Sequence, residues 1–256
     1  RECLLRAKEA AEDAGFEVLH MYVDGLWVQG PGLDTPAGVQ PLLDEITRRT
    51  GLPIALDGIY RWVVFLPSRL DERVPVANRY FGVFQDGTLK VRGLEARRHD
   101  TPPWVARAQM HILEILAQAK TADELPALLP EVQAYAASEL RRLRAGRVPL
   151  EELMLRQKIT RALEEYRSPS PPARAAAQLQ AAGKPPLRPG QYVRFYYCLG
   201  RPGVRAYDLP APPDPRTVDV PRYAELLRRA VQSVTACLPA GPAMPALFPL
   251  RPPPAS

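Results

Sequence analysis

Cysteine is scarce in this chain: three among 256 residues, at Cys3, Cys198 and Cys237. They lie far apart, and no CxxC or Cys/His spacing links them. That argues against a disulfide scaffold or a zinc site and fits a reducing cytoplasm. Long apolar runs are lacking too. No stretch reaches the ~18 residues of a membrane span, and charged residues stand where a signal peptide would need an apolar run. The expectation is a cytoplasmic protein with no membrane partner. An initiating Met is also absent, because residue 1 is Arg; the chain therefore reads as part of something longer or as a processed product. There is no internal repeat.

What the sequence has in excess is proline, with thirty residues, about twice the ~5% of average usage. The prolines cluster at Pro169–Pro172, Pro185–Pro189, Pro210–Pro215 and from Pro239 onward. Such runs remove backbone donors and read as connectors, and residues 239–256 read as an extended or disordered tail. The net charge is +6 and unevenly placed. Residues 1–100 hold 13 Lys and Arg against 15 Asp and Glu, a net of −2. Residues 101–256 hold 21 against 13, a net of +8. A basic half beside a near-neutral one points to a polyanion held mainly by the second part, or to a merely solvated basic surface.

The spacing predicts a helix over residues 1–14, with Leu4, Leu5, Ala7, Ala11 and Ala14 periodic and Gly15 ending it. A β-hairpin follows around Asp24-Gly25, a strong tight-turn signal. A second helix is predicted over 40–50, with Leu42, Leu43 and Ile46 inward. Residues 59–67, 80–84 and 88–91 read as strands, with Asp86-Gly87 closing a second hairpin. From Thr101 the pattern turns helical, Val105, Ala108, Ile112, Ile115 and Leu116 forming one stripe. Helices are also predicted over 173–182 and 223–238, and a β run over 191–199. The fold class is α+β: an antiparallel sheet with helices, then a mainly helical part. The expected boundaries are 1–100, 101–238 and a tail over 239–256.

The segment Gly15–Val28, GFEVLHMYVDGLWV, resembles the palm hairpin of family B DNA polymerases, roughly GFEVLYGDTDSLFV. Gly15 to Leu19, Asp24, Leu26 and Val28 match. A tight turn between strands can thrust acidic side chains outward to hold divalent metals, and carboxylates suit Mg²⁺. The resemblance implies two acids one residue apart. Asp24 occupies the second place and Tyr22, a neutral phenol, the first. An isolated Asp-Gly would be an ordinary turn; the neighbouring matches point to a metal-site position.

Asn78-Arg79-Tyr80-Phe81-Gly82 resembles the family's KKRYxG, and Arg92-Gly93-Leu94-Glu95 with Arg98-His99-Asp100 resembles RGLExxRRD. Gln157-Lys158-Ile159-Thr160, Leu163, Tyr166, Pro189-Gly190 and Tyr196 resemble the thumb run KxIT, LxxY and PGxxIxY. Asp219, Tyr223 and Ala230 fall where the family leads into its last thumb helix. The four ordered blocks together run from about Arg1 to Leu238.

The resemblance implies the C-terminal portion of a polymerase: the end of the palm over 1–100, then the thumb. It implies Mg²⁺-dependent, template-directed nucleotidyl transfer in DNA replication or repair, on primer–template DNA and deoxynucleoside triphosphates. The implied metal ligand and catalytic acid is Asp24, and the implied DNA contacts are Arg79, Tyr80, Arg92, Arg98, Arg156, Lys158 and Thr160, with Arg161 and Arg188 as further basic candidates. Asp100 is expected to orient Arg98 by an ion pair. Tyr192, Phe195, Tyr196 and Tyr197 are expected to pack as core rather than to stack on bases. The family's other metal-binding Asp and its nucleotide-gripping helix do not occur in these 256 residues. The chain alone is therefore expected not to polymerise, and an N-terminal half, either another chain or the rest of a longer product, would complete it. The alternative is a non-catalytic, polymerase-derived DNA-binding subunit.

Overall fold

The computed structural model describes residues 2–67, 75–236 and 238. Cys237 and the Pro-rich stretch over 239–256, read above as a tail, lie outside the described residues. The described residues form two compact units, drawn from Arg1–Gly93 with Ala119–Glu124 and from Leu94–Gln118 with Leu125–Ser256.

The first unit opens with helix α1, Glu2–Asp13. Gly15, at φ 82°, ends it as its sequence position predicts, and the Phe16 amide turns back to the Ala11 carbonyl at 3.0 Å. Strands β1 (Glu17–Tyr22) and β2 (Gly25–Gln29) form the antiparallel hairpin. Helix α2 spans Pro36–Thr50, four residues earlier than its apolar spacing alone indicates. Its start is set by Thr35, whose side chain accepts from the Gly38 amide, and by Pro36 with its preset φ. Ala7, Ala10 and Ala11 of α1 close on Leu42 and Ile46 of α2, and Phe16, Val18, Leu26 and Val28 cover that contact. Small residues on α1 let the two helices approach closely. Strands β3 (Tyr60–Pro67), β4 (Pro75–Phe84) and β5 (Leu89–Arg92) make an antiparallel sheet in that order. The Asp86-Gly87 hairpin joins β4 to β5, with Gly87 at φ 90°.

The second unit is built on helices α3 (Pro103–Leu116), α4 (Leu129–Arg144) and α7 (Val220–Thr235), with the shorter α5 (Leu150–Leu153) and α6 (Pro171–Ala181). Val105, Ala108, Ile112, Ile115 and Leu116 are all buried, as the stripe predicts. The buried side chains of Gln109 and Glu139 are both hydrogen-bonded. Trp104 donates to Glu139 at 2.7 Å, and Gln109 links Glu95, the Ala96 amide and the Ala230 carbonyl.

This unit also holds a sheet that the helical reading misses in part. The predicted β run is β7, Tyr192–Tyr197, flanked by β6 (Leu155–Lys158) and β8 (Val204–Ala206), both antiparallel to it. Strands of four and three residues are too short to show a period, so only pairing with β7 reveals them. Among the described residues, no helix is long and apolar enough to cross a membrane.

Candidate functional site

In the first unit the candidate site is the tip of the β1–β2 hairpin. Val18 pairs with Val28, but His20 pairs with Trp27, so Leu19 is an extra residue in β1. This bulge advances the register by one. Tyr22 then pairs with Gly25, and the loop is Val23-Asp24 rather than Asp24-Gly25. The left-handed angle, φ 54°, falls on Val23, which is 74% exposed. A β-branched residue there stores strain of about 1–2 kcal/mol. The tip thus presents an exposed Asp24 carboxylate next to Val23 and a Tyr22 that is 46% exposed.

This donor set does not by itself fit a two-metal centre. Asp24 supplies one carboxylate, and Tyr22 is a neutral phenol where the resemblance places an acid. Among the described residues, no group of three or more His, Cys, Asp or Glu is placed to hold a metal ion.

Behind the tip, aromatic rings pin the hairpin to the sheet. His20 meets Phe65 edge-on at 4.7 Å, and Trp27 meets Phe65 at 5.6 Å and Tyr80 at 5.4 Å. Tyr80 is only 5% exposed, so its ring belongs to this packing. The His20 Nε2 is buried without a hydrogen-bond partner, and burial pushes the imidazole pKa down. Burial likewise pushes the Tyr60 phenol up. Arg79 donates from Nη1 to the Pro67 carbonyl at 2.9 Å. Arg92 is exposed at the end of β5, paired with Tyr80. The two glycines in these motifs have packing reasons. A Cβ on Gly82 would meet the Tyr60 ring at 3.0 Å, and one on Gly93 would meet Arg79 Cγ at 2.8 Å.

In the second unit, Arg98 and Asp100 form the expected ion pair, bidentate at 2.8 and 2.5 Å, which raises the guanidinium pKa. Arg156 and Lys158 lie on the outward face of β6, while Leu155 points into the core. Opposite them on β7 stand Arg194 and Tyr192. The Arg156 guanidinium lies 3.7 Å from the centre of the Tyr192 ring, and the Lys158 ammonium 5.4 Å. Thr160 follows β6. The Tyr166 hydroxyl meets its amide at 3.2 Å and its hydroxyl at 3.0 Å, and also accepts from the Arg161 amide at 3.3 Å. Hydrogen bonds from Thr160, chiefly its side chain, lower the Tyr166 pKa. Arg161 and Arg188 are exposed.

The aromatic run divides. Phe195, Tyr196 and Tyr197 are buried as expected, but Tyr192 is 42% exposed and faces the cations. Its alternation with Val193 and Phe195 carried that signal, because period two sends neighbours to opposite faces. Tyr166 had no local signal for its bonds to Thr160 and Arg161.

The family model described as DNA polymerase family B matches residues 77–220. A DNA polymerase of Archaeoglobus fulgidus is 26% identical over 183 residues, covering 72% of this chain and 21% of its own length. DNA polymerase 1 of Sulfolobus acidocaldarius is 23% identical over 225 residues, covering 88% of this chain and 24% of its own. The chain thus spans under a quarter of the length of either relative. In fold it is similar to the solved family B DNA polymerase from the hyperthermophilic archaeon Pyrobaculum calidifontis, with a TM-score of 0.64 and 24% identity over 94% of this chain and 29% of that one.

Proposed function

The chain belongs to DNA polymerase family B, and from that membership we propose that it supplies the end of a polymerase palm and the thumb that holds duplex DNA. The observation that carries this is the outward face of β6 and β7. Arg156 and Lys158 stand there with no carboxylate within ion-pair distance among the described residues, in the half of the chain that bears a net +8. Unneutralised cations on an exposed face release condensed counterions when they meet phosphates, which gives affinity without sequence preference. Thr160, Arg161 and Arg188 extend the same basic region, and Arg98, oriented by Asp100, is a further phosphate contact. Arg79, Tyr80 and Arg92 belong to the primer–template region near the hairpin. There Tyr80 acts through its packing on Trp27, and Arg79 through its bond to the Pro67 carbonyl at the end of β3.

Template-directed nucleotidyl transfer on deoxynucleoside triphosphates is the activity of the complete assembly. Bound Mg²⁺ would supply charge stabilisation there, and Asp24 is the carboxylate that the tip of this hairpin offers to it. The remaining carboxylates come from a polymerase N-terminal half outside these 256 residues. Salt-dependent binding of primer–template DNA by the chain, together with primer extension only when that half is added and lost in Asp24→Ala, is the expected result. Extension by the 256-residue chain alone would sink this division of labour.

One observation favours a second reading, a polymerase-derived subunit that binds DNA without catalysis. Tyr22 is exposed at the tip where an acid is expected. Under that reading, DNA binding persists and no combination with an N-terminal half restores extension.

A further inference from the structure

Two adjacent arginines on this sheet are held in opposite ways. Arg194 is ion-paired with Asp208, and its guanidinium lies 5.1 Å from the Tyr207 ring. Its cross-strand partner Arg156 has no such carboxylate; it is stacked on Tyr192, with Lys158 reaching the same ring. A carboxylate neutralises a guanidinium and occupies its N–H edge. A ring face does neither: it holds the plane by the quadrupole and leaves both charge and donors available.

From this contrast we infer that Tyr192 is a positioning residue, whose ring holds Arg156 and Lys158 as a pre-ordered pair of phosphate contacts for the sugar–phosphate backbone of duplex DNA. The inference rests on the reading of this face as the DNA-holding surface and adds to it the residue that organises the surface. Long cationic side chains otherwise lose their rotamer freedom when they bind, and ordering them beforehand removes that cost from association. Lys158 and Tyr192 pair directly across the strands, so the ring's place is set by the backbone ladder and not by the cations themselves. Its exposure lets the stack be reached from solvent.

The test uses the whole 256-residue chain and a short primer–template duplex, with affinity measured by fluorescence anisotropy over a range of salt. Tyr192→Phe keeps the ring face and binds within about twofold of the unaltered chain. Tyr192→Ala and Tyr192→Leu both bind about fivefold more weakly. Leu fills the same apolar space, so it keeps the test decisive if the Ala variant folds poorly. In an Arg156→Ala background, Tyr192→Leu costs much less, which identifies the coupling as one between these two side chains. Leu binding as tightly as Phe would make the role packing and overturn the inference. Harmless Tyr192 variants beside weakened Arg156→Ala and Lys158→Ala would overturn the positioning role and leave the DNA surface standing. Unchanged affinity in the Arg156→Ala, Lys158→Ala double variant would remove both.

Discussion

Gly93 lies so close to Asn78 that a Cβ on it would stand 2.1 Å from the Asn78 carbonyl oxygen. The contact is backbone on backbone, so no side-chain movement relieves it. Gly93 also sits at φ 67°, where an L side chain is strained. Gly93→Ala is therefore expected to destabilise the first unit by about 2–3 kcal/mol. Gly87, at φ 90° with nothing within 4 Å of its Cβ position, should lose only the conformational part, about 1 kcal/mol. Urea denaturation midpoints of the two variants check the difference, and equal losses would contradict the close-approach argument.

The Tyr223 hydroxyl donates to the Leu153 carbonyl at 2.7 Å and accepts from the Tyr197 amide at 3.0 Å, tying α7 to α5 and β7. Its burial raises the phenol pKa, so the proton that makes the first bond stays in place. Tyr223→Phe preserves shape and removes both bonds, leaving a buried carbonyl and a buried amide each short of a partner. A loss of about 2–3 kcal/mol is expected, read in the unfolding of the second unit.

His20 makes the hairpin sensitive to acid. Its folded pKa is lowered from 6.5 by burial. Below 6.5 the unfolded chain therefore takes up the proton first, and stability falls as pH falls through that range; above it, the contribution is constant. Melting temperatures measured from pH 8 down to pH 5.5 should decline for the unaltered chain and decline less for His20→Phe, which keeps an aromatic ring against Phe65. Parallel curves would show that another group carries the dependence.

Charge removal on the β6 face should show in the salt response. Each phosphate contact contributes about 0.9 to the slope of log affinity against log salt. Arg156→Ala and Lys158→Ala should each lower it by roughly one contact, while Arg194→Ala, whose charge is already met by Asp208, should lower it less. Anisotropy titrations of the three variants give the slopes.

Much of the local structure was legible from neighbouring residues. The end of α1 at Gly15, the α3 stripe and the Arg98–Asp100 pair each depend on residues two to four apart, where helix geometry or chain connectivity alone brings groups together. The order of the family's motifs was legible for the same reason, since motif order is a property of the chain. The tertiary structure decided the rest. The bulge at Leu19, which moves the hairpin loop onto Val23-Asp24, is a matter of pairing register. The burial of Tyr80 depends on Trp27, more than fifty residues away. Strand alternation set Tyr192 apart from Val193 and Phe195, but the two cations beside its ring come from β6, which lies more than thirty residues earlier. Those outcomes turn on which distant surfaces meet and exclude water, and no local spacing encodes that choice.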